Sequence, residues 1–152
     1  MKTPAAGATR RQRGVAAVEL ALVLPVLLVM LAFPLYLGRA LWHYTVIERA
    51  AQDAARYLST IPLSEIKNST LAPGAVAVAN NIVAEEIAEL APGTVPPSVA
   101  ITCDNGGNCV GFSTPATVRV NIQLQMEDVL FAGVTQLTVP LTAEVAYPYL
   151  GR

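Results

Sequence analysis

Arg13-Gly14-Val15-Ala16-Ala17-Val18-Glu19 opens the stretch that sets the architecture, because the chain from Leu20 to Gly38 then carries no charge. An uninterrupted apolar run of that length reads as a membrane-spanning helix. Residues 15–38 as a helix reach about 36 Å, more than the roughly 30 Å hydrocarbon core of a bilayer. Glu19 is the only charged residue between Val15 and Gly38. A carboxylate at such a place is unfavourable, by roughly 2.5–3.5 kcal/mol if it reached mid-membrane, so it asks for a reason. Pro25 and Pro34 lie inside the run. Each removes one backbone hydrogen bond, which a membrane helix tolerates when neighbours re-satisfy the freed carbonyl.

On the N-terminal side, Lys2, Arg10, Arg11 and Arg13 precede Gly14 with no acid among them. The positive-inside rule places that end in the cytoplasm and everything after Gly38 on the far side of the inner membrane, in the periplasm. The net charge of −1 conceals this asymmetry, because all 11 acids follow Gly14. The remainder is acidic, which excludes a nucleic-acid partner. The apolar run is too long for the h-region of a secretory signal peptide (roughly 7–15 residues), and Gly38-Arg39-Ala40 matches a cleavage site poorly. With 152 residues, 53% of them hydrophobic and 14% charged, the chain holds one membrane segment and one small domain.

Beyond the apolar run the helix is expected to continue to about Thr60. Leu37, Ala40, Tyr44, Ile47, Ala51, Ala54 and Leu58 recur at alternating spacings of three and four, which makes one helical stripe. The small Ala51 and Ala54 invite another surface to approach closely, that of the chain's own sheet or of a neighbouring subunit. Trp42 and Tyr44 sit where an interfacial aromatic belt belongs, and His43 beside them reads as interfacial. Pro62 to Pro73 is expected to be a linker, and its Asn68-Ser69-Thr70 sequon is too short a match to carry weight. A second helix is expected over Ala75 to Leu90, burying Val76, Ala79, Val83, Ile87 and Leu90. Glu85, Glu86 and Glu89 read as its solvated acidic face. Pro92-Gly93 and Pro96-Pro97 stop it.

The period then changes from 3.6 to 2. Ser98 to Cys103 is a short strand, followed by an Asn- and Gly-rich turn. From Thr117 to Met126, Val118, Val120, Ile122, Leu124 and Met126 face one way, and Arg119, Asn121, Gln123 and Gln125 the other. Leu137 to Tyr147 repeats the pattern, with Pro140 on the polar face arguing for an edge strand or a bulge. The apolar Val129–Val134 between them is a plug over the core or a contact patch. Three strands with one apolar face need a cover, and two amphipathic helices supply it. The fold class is therefore α+β: a long N-terminal membrane helix continuing into a small domain with a second helix and a three-stranded antiparallel sheet.

Cys103 and Cys109 are the only cysteines. In an oxidising compartment such a pair forms a short-loop disulfide; a metal site needs more ligands than the distant His43 provides. No catalytic constellation is present. One histidine serves few triads, no Gly-rich phosphate loop precedes a helix, and Asp104–Asn108 lacks the spaced acids of a Ca²⁺ loop. The expectation is a non-enzyme with no cofactor, no metal and no small-molecule substrate.

A basic leader, a glycine, a glutamate at the fifth position after it and a membrane-length helix together resemble the processing signature of type IV prepilins. More closely, the chain resembles the TadE-like pseudopilins, minor pilins of the tight-adherence (Tad, Flp-type, class IVb) pilus system. Arg13-Gly14-Val15-Ala16-Ala17-Val18-Glu19 with Leu20-Ala21-Leu22-Val23-Leu24-Pro25 is similar to the family's opening. Gly38-Arg39-Ala40-Leu41 and Ala50-Ala51-Gln52-Asp53-Ala54-Ala55-Arg56 are similar to its continuing helix. The strand Leu137 to Tyr147 is similar in pattern only. Leu20 departs from the Phe or Tyr that many prepilins carry after the glutamate.

The resemblance implies a leader over residues 1–14, charged by Arg10, Arg11 and Arg13. A prepilin peptidase would cut it off between Gly14 and Val15. It implies a transmembrane helix over 15–38, a periplasmic domain over 39–152, and an assembly role for Glu19, paired with the new amine of Val15. Implied partners are the peptidase, other minor pilins of the TadF kind, the major Flp pilin, the inner-membrane assembly platform and the lipid bilayer. Flp-type major pilins are much shorter, so this length fits a minor component. The competing reading is an unprocessed single-pass anchor carrying a periplasmic binding module. It accounts for the helix, the cysteines and the domain, but not for Glu19 five residues after Gly14.

Overall fold

The computed structural model describes residues 12–90, 95–104, 107–109, 114–127 and 138–151. The elements in chain order are α1 (Gln12–Thr60), α2 (Leu63–Ile66), α3 (Ala72–Ala88), β1 (Ser98–Cys103), β2 (Thr117–Glu127) and β3 (Thr138–Pro148). By its internal contacts the chain divides after Gly38 into two units.

In the first unit the described residues belong to α1, and their large apolar side chains are bare. Its most apolar 18-residue window has a mean hydropathy of 2.7 with 0% of it buried, and α1 is long and apolar enough to cross a membrane. Leu, Val, Ala and Met are good or adequate helix formers that leave no polar side chain to compete for the backbone. The helix runs unbroken through Pro25 and Pro34, so the carbonyls of Ala21 and Met30 lack the usual donor four residues on.

The second unit, Arg39–Arg152, holds the core. The α1 residues buried there are His43, Ile47, Ala50, Ala51, Ala54, Ala55, Leu58 and Ser59. The apolar ones share one cluster with Ala75, Ala79, Val83 and Ile87 of α3 and Val118, Val120, Ile122 and Leu124 of β2. The run of alanines on α1 lets neighbouring backbones come close. The expected stripe is right from Ile47 onward and out of phase before it. Tyr44 is 42% exposed and Leu37 45%, whereas His43 is 2% exposed. His43 is therefore turned inward, away from the exposed side of α1.

The expected linker is more ordered than its prolines suggested. One helical turn, α2, inserts Ile66 into the interior, and Asn68 Oδ1 accepts the Thr70 amide in an Asx turn (3.0 Å). Helix α3 begins at Ala72, three residues earlier than expected, because Pro73 fits a first turn whose amides need no partner. It buries Ala72, Ala75, Ala79, Val83 and Ile87, and Leu90 just beyond it is also buried.

The sheet has the order β1-β2-β3, antiparallel throughout. Val118, Val120, Ile122, Leu124 and Met126 face the core, and Arg119, Gln123 and Gln125 face out, as the alternation predicts. Across the outer face Arg119 pairs with Glu144, an exposed contact of small energetic weight. β3 is an edge strand with an unbroken register from Thr117↔Pro148 to Glu127↔Thr138, so Pro140 marks an edge and not a bulge. The Tyr149 amide continues the ladder to the Ala116 carbonyl (3.0 Å). By alternation the even-numbered residues of β3 turn their backbone groups to the free edge, where Pro140 and Pro148 cost no bond. The apolar segment Val129–Val134 lies outside the described residues, as do Leu137 and Pro92-Gly93.

Two links close the domain. Cys103 at the end of β1 is bonded to Cys109, the Cys103 amide donates to the Gly107 carbonyl (2.7 Å), and Asp104 turns the chain with φ 53°. Asp tolerates that left-handed conformation, and its Oδ1 accepts the amides of Ala116 (2.6 Å) and Thr117 (3.2 Å). At the other end the tail satisfies carbonyls left open where α1 ends. Tyr149 Oη donates to the Ile61 carbonyl (2.7 Å) and the Leu150 amide to that of Ser59 (2.8 Å). Gly151 lies so close to the Ile61 carbonyl and the Tyr149 ring that a Cβ would overlap both.

Candidate functional site at the start of the first helix

Gly14 is helical, and a Cβ built on it meets nothing within 4 Å. Glycine within a helix costs roughly 0.5–1 kcal/mol relative to alanine, and no described residue crowds this position. Val15 and Val18 are 60% and 67% exposed. Glu19 is exposed on the same helix and has no hydrogen-bond or ion-pair partner among the described residues. One helical turn separates Val15 from Glu19, about 6 Å along the axis. An amine created at Val15 would thus lie on the side of the helix that carries the carboxylate. Arg10, Arg11 and the side chain of Arg13 lie outside the described residues.

The other polar groups singled out from the sequence fall elsewhere. His43 donates through Nδ1 to the Arg39 carbonyl (2.9 Å), since a carbonyl can only accept, and its ring meets Trp42 edge-on at 5.2 Å. Glu85 and Glu86 of α3 and Glu89 just beyond it are not uniformly solvated. Glu85, Glu86 and Glu89 line an open cleft of about 310 Å³ with Val46 and Arg49 of α1. Glu86 is half-buried there, and its carboxyl titrates above the ordinary carboxylate value. Partial burial is the main cause, followed by the charge of Asp53 and a hydrogen bond with it, while Arg49 works the other way. Asp53 and Glu86 belong to different helices, so only knowledge of how α1 and α3 pack could have paired them. No group of three or more metal-ligating side chains comes together among the described residues.

The structure thus defines an α+β domain attached to one helix of membrane-spanning length, with a glycine and a glutamate near the head of that helix that meet no partner among the described residues. Residues 14–56 match the family model described as TadE-like protein. The match begins at Gly14, ends at Arg56 and lies wholly within α1. No curated protein and no solved structure matches the chain.

Proposed function

We propose that this chain is a minor pilin or pseudopilin of a tight-adherence pilus system, made as a precursor and processed between Gly14 and Val15. The observation that carries this reading is Glu19. It is an exposed carboxylate without a partner among the described residues, the one charge between Val15 and Gly38, five residues after a glycine that no described residue crowds. The TadE-like match over 14–56, which starts at that glycine, supports the same machinery.

The chemistry follows from the residues. Hydrolysis of the Gly14–Val15 amide consumes one water, leaves a carboxylate on Gly14 and frees an ammonium on Val15. It removes Lys2, Arg10, Arg11 and Arg13 together, the charges that hold the N-terminus in the cytoplasm. The mature helix then begins with one cation and one anion a turn apart in apolar surroundings. Each is costly alone and acceptable when paired, within the chain or with a neighbouring subunit. Pairing between neighbours sets the axial position at which subunits pack, and the protein acts by assembling rather than by catalysis. Its partners in this reading are a prepilin peptidase, other minor pilins, the major pilin and the inner-membrane platform, with the Arg39–Arg152 unit in the periplasm.

The test is the intact mass and N-terminal sequence of the protein from its native membrane, with and without the peptidase. A chain that starts at Val15 only when the peptidase is present is expected. A chain that keeps Arg10 to Gly14 in both cases would identify an unprocessed anchored binding module. The cleft between α1 and α3 is the feature that favours this second reading.

A further inference from the structure

We propose that Leu41, Trp42 and Tyr44 form a lipid-facing collar on the folded unit, seated in the headgroup layer of the bilayer. This rests on the membrane-anchored part of the reading above and is independent of whether the leader is cut.

The collar is defined by a contrast within two helical turns of Arg39–Arg152. His43 is 2% exposed and Ile47 0%, whereas Leu41 is 65%, Trp42 50% and Tyr44 42% exposed. At about 100° per residue the three bare side chains spread around the arc of α1 that His43 and Ile47 leave open. Among the described residues of this unit the other large exposed apolar side chains, Leu71, Val78, Val95 and Leu150, are scattered along the chain. Scattered singles are ordinary surface; three in four consecutive residues form a patch.

The chemistry of the patch selects its occupant. Trp and Tyr have an apolar ring with one polar edge, which suits a layer that is greasy on one side and wet on the other. Neighbouring groups agree. Thr45 satisfies its hydroxyl inside the helix, on the Trp42 carbonyl (2.8 Å), and so brings no unmet polar group to the surface. Arg39 is the only Asp, Glu, Lys or Arg between Glu19 and Glu48, and a long basic side chain at that level can extend to the phosphates. The patch also continues directly from the charge-free run Leu20–Gly38, about 28 Å of helix, close to the roughly 30 Å that hydrocarbon occupies. A lipid headgroup layer therefore fits better than a partner protein.

Trp42 is the only tryptophan in the chain, so its fluorescence reports the collar without any substitution. The experiment uses the full chain in phosphatidylethanolamine–phosphatidylglycerol vesicles carrying a quencher at the headgroup, at a shallow acyl position or near the bilayer centre. Flotation of the vesicles first establishes insertion. The expected result is blue-shifted emission, quenched more by the headgroup and shallow labels than by the central one, and weakly by aqueous acrylamide. The double variant Trp42→Phe, Tyr44→Trp moves the reporter around the helix and is expected to show the same depth profile. Strong acrylamide quenching without lipid quenching would place the collar in water and overturn the proposal. Emission insensitive to every quencher would mean that protein, such as a second copy, covers it. Strongest quenching from the centre would place it in the hydrocarbon. Failure to float would remove the anchored reading itself, and the N-terminal mass of the same sample reports processing separately.

Discussion

Replacing Glu19 with alanine separates the folding of the subunit from its assembly. In the isolated chain Glu19 is exposed and touches no partner among the described residues, so the substitution leaves the fold's stability within about 0.5 kcal/mol. It also removes a charge from an apolar helix, which makes insertion easier, by less than the roughly 2.5–3.5 kcal/mol of a mid-membrane carboxylate because Glu19 lies near the helix end. Assembly moves the other way. If the Val15 amine and Glu19 pair between subunits, losing the carboxylate strands a buried ammonium at a cost of roughly 3–5 kcal/mol per contact. At about 1.4 kcal/mol per factor of ten, subunit association falls between about a hundredfold and several thousandfold. The assay compares the protein in membranes with the protein and pili recovered by shearing, in cells that express the variant at normal level. Undiminished or increased membrane protein with few or no pili is expected. Glu19→Gln, which keeps the shape and loses the charge, is expected to behave like Glu19→Ala. Normal piliation by either variant would refute the ion-pair argument.

Other expectations follow from single contacts. Gly14→Ala meets no obstruction and gains helix propensity, so the precursor is expected to insert normally while the Val15 N-terminus disappears from its mass spectrum. Ile122→Ala, at a fully buried position of β2, is expected to lower unfolding stability in detergent by about 2–5 kcal/mol, whereas the outward Gln123→Ala changes it by less than about 0.5 kcal/mol. Gly151→Ala forces a Cβ against the Ile61 carbonyl and should cost about 1–3 kcal/mol in the same measurement, larger than a surface glycine would show. The raised carboxyl of Glu86 makes the proton-bound form the better fit for the folded state. Its contribution to stability is therefore present below the ordinary value of 4.5 and is lost as pH rises through the higher folded value. Stability scans from pH 4 to 7 should show a small decline that Glu86→Gln flattens; an unchanged slope in the variant would assign the decline to other groups.

Much of this fold is written in local periodicity. The absence of charge from Leu20 to Gly38 made a membrane-length helix, and the alternation from Val118 to Met126 determined both a strand and the face it buries. Pro140 ruled out a regular central strand, because a residue without an amide cannot serve a central ladder, and the unbroken register then selected an edge over a bulge. Gly14, Val15 and Glu19 stand out for the same reason, their spacing along one helix, and the role proposed for them is what the N-terminal mass decides. Contacts between residues distant in sequence were not legible. Tyr44 and His43 are adjacent and each fits some helical stripe, so only tertiary packing decided that His43 goes in and Tyr44 stays out. Asp53 meets Glu86 across two helices, and Tyr149 reaches back to the Ile61 carbonyl over 88 residues. Periodicity assigns a residue to a face, but which face meets which is an energy shared among several elements, and it exists only once they have packed together.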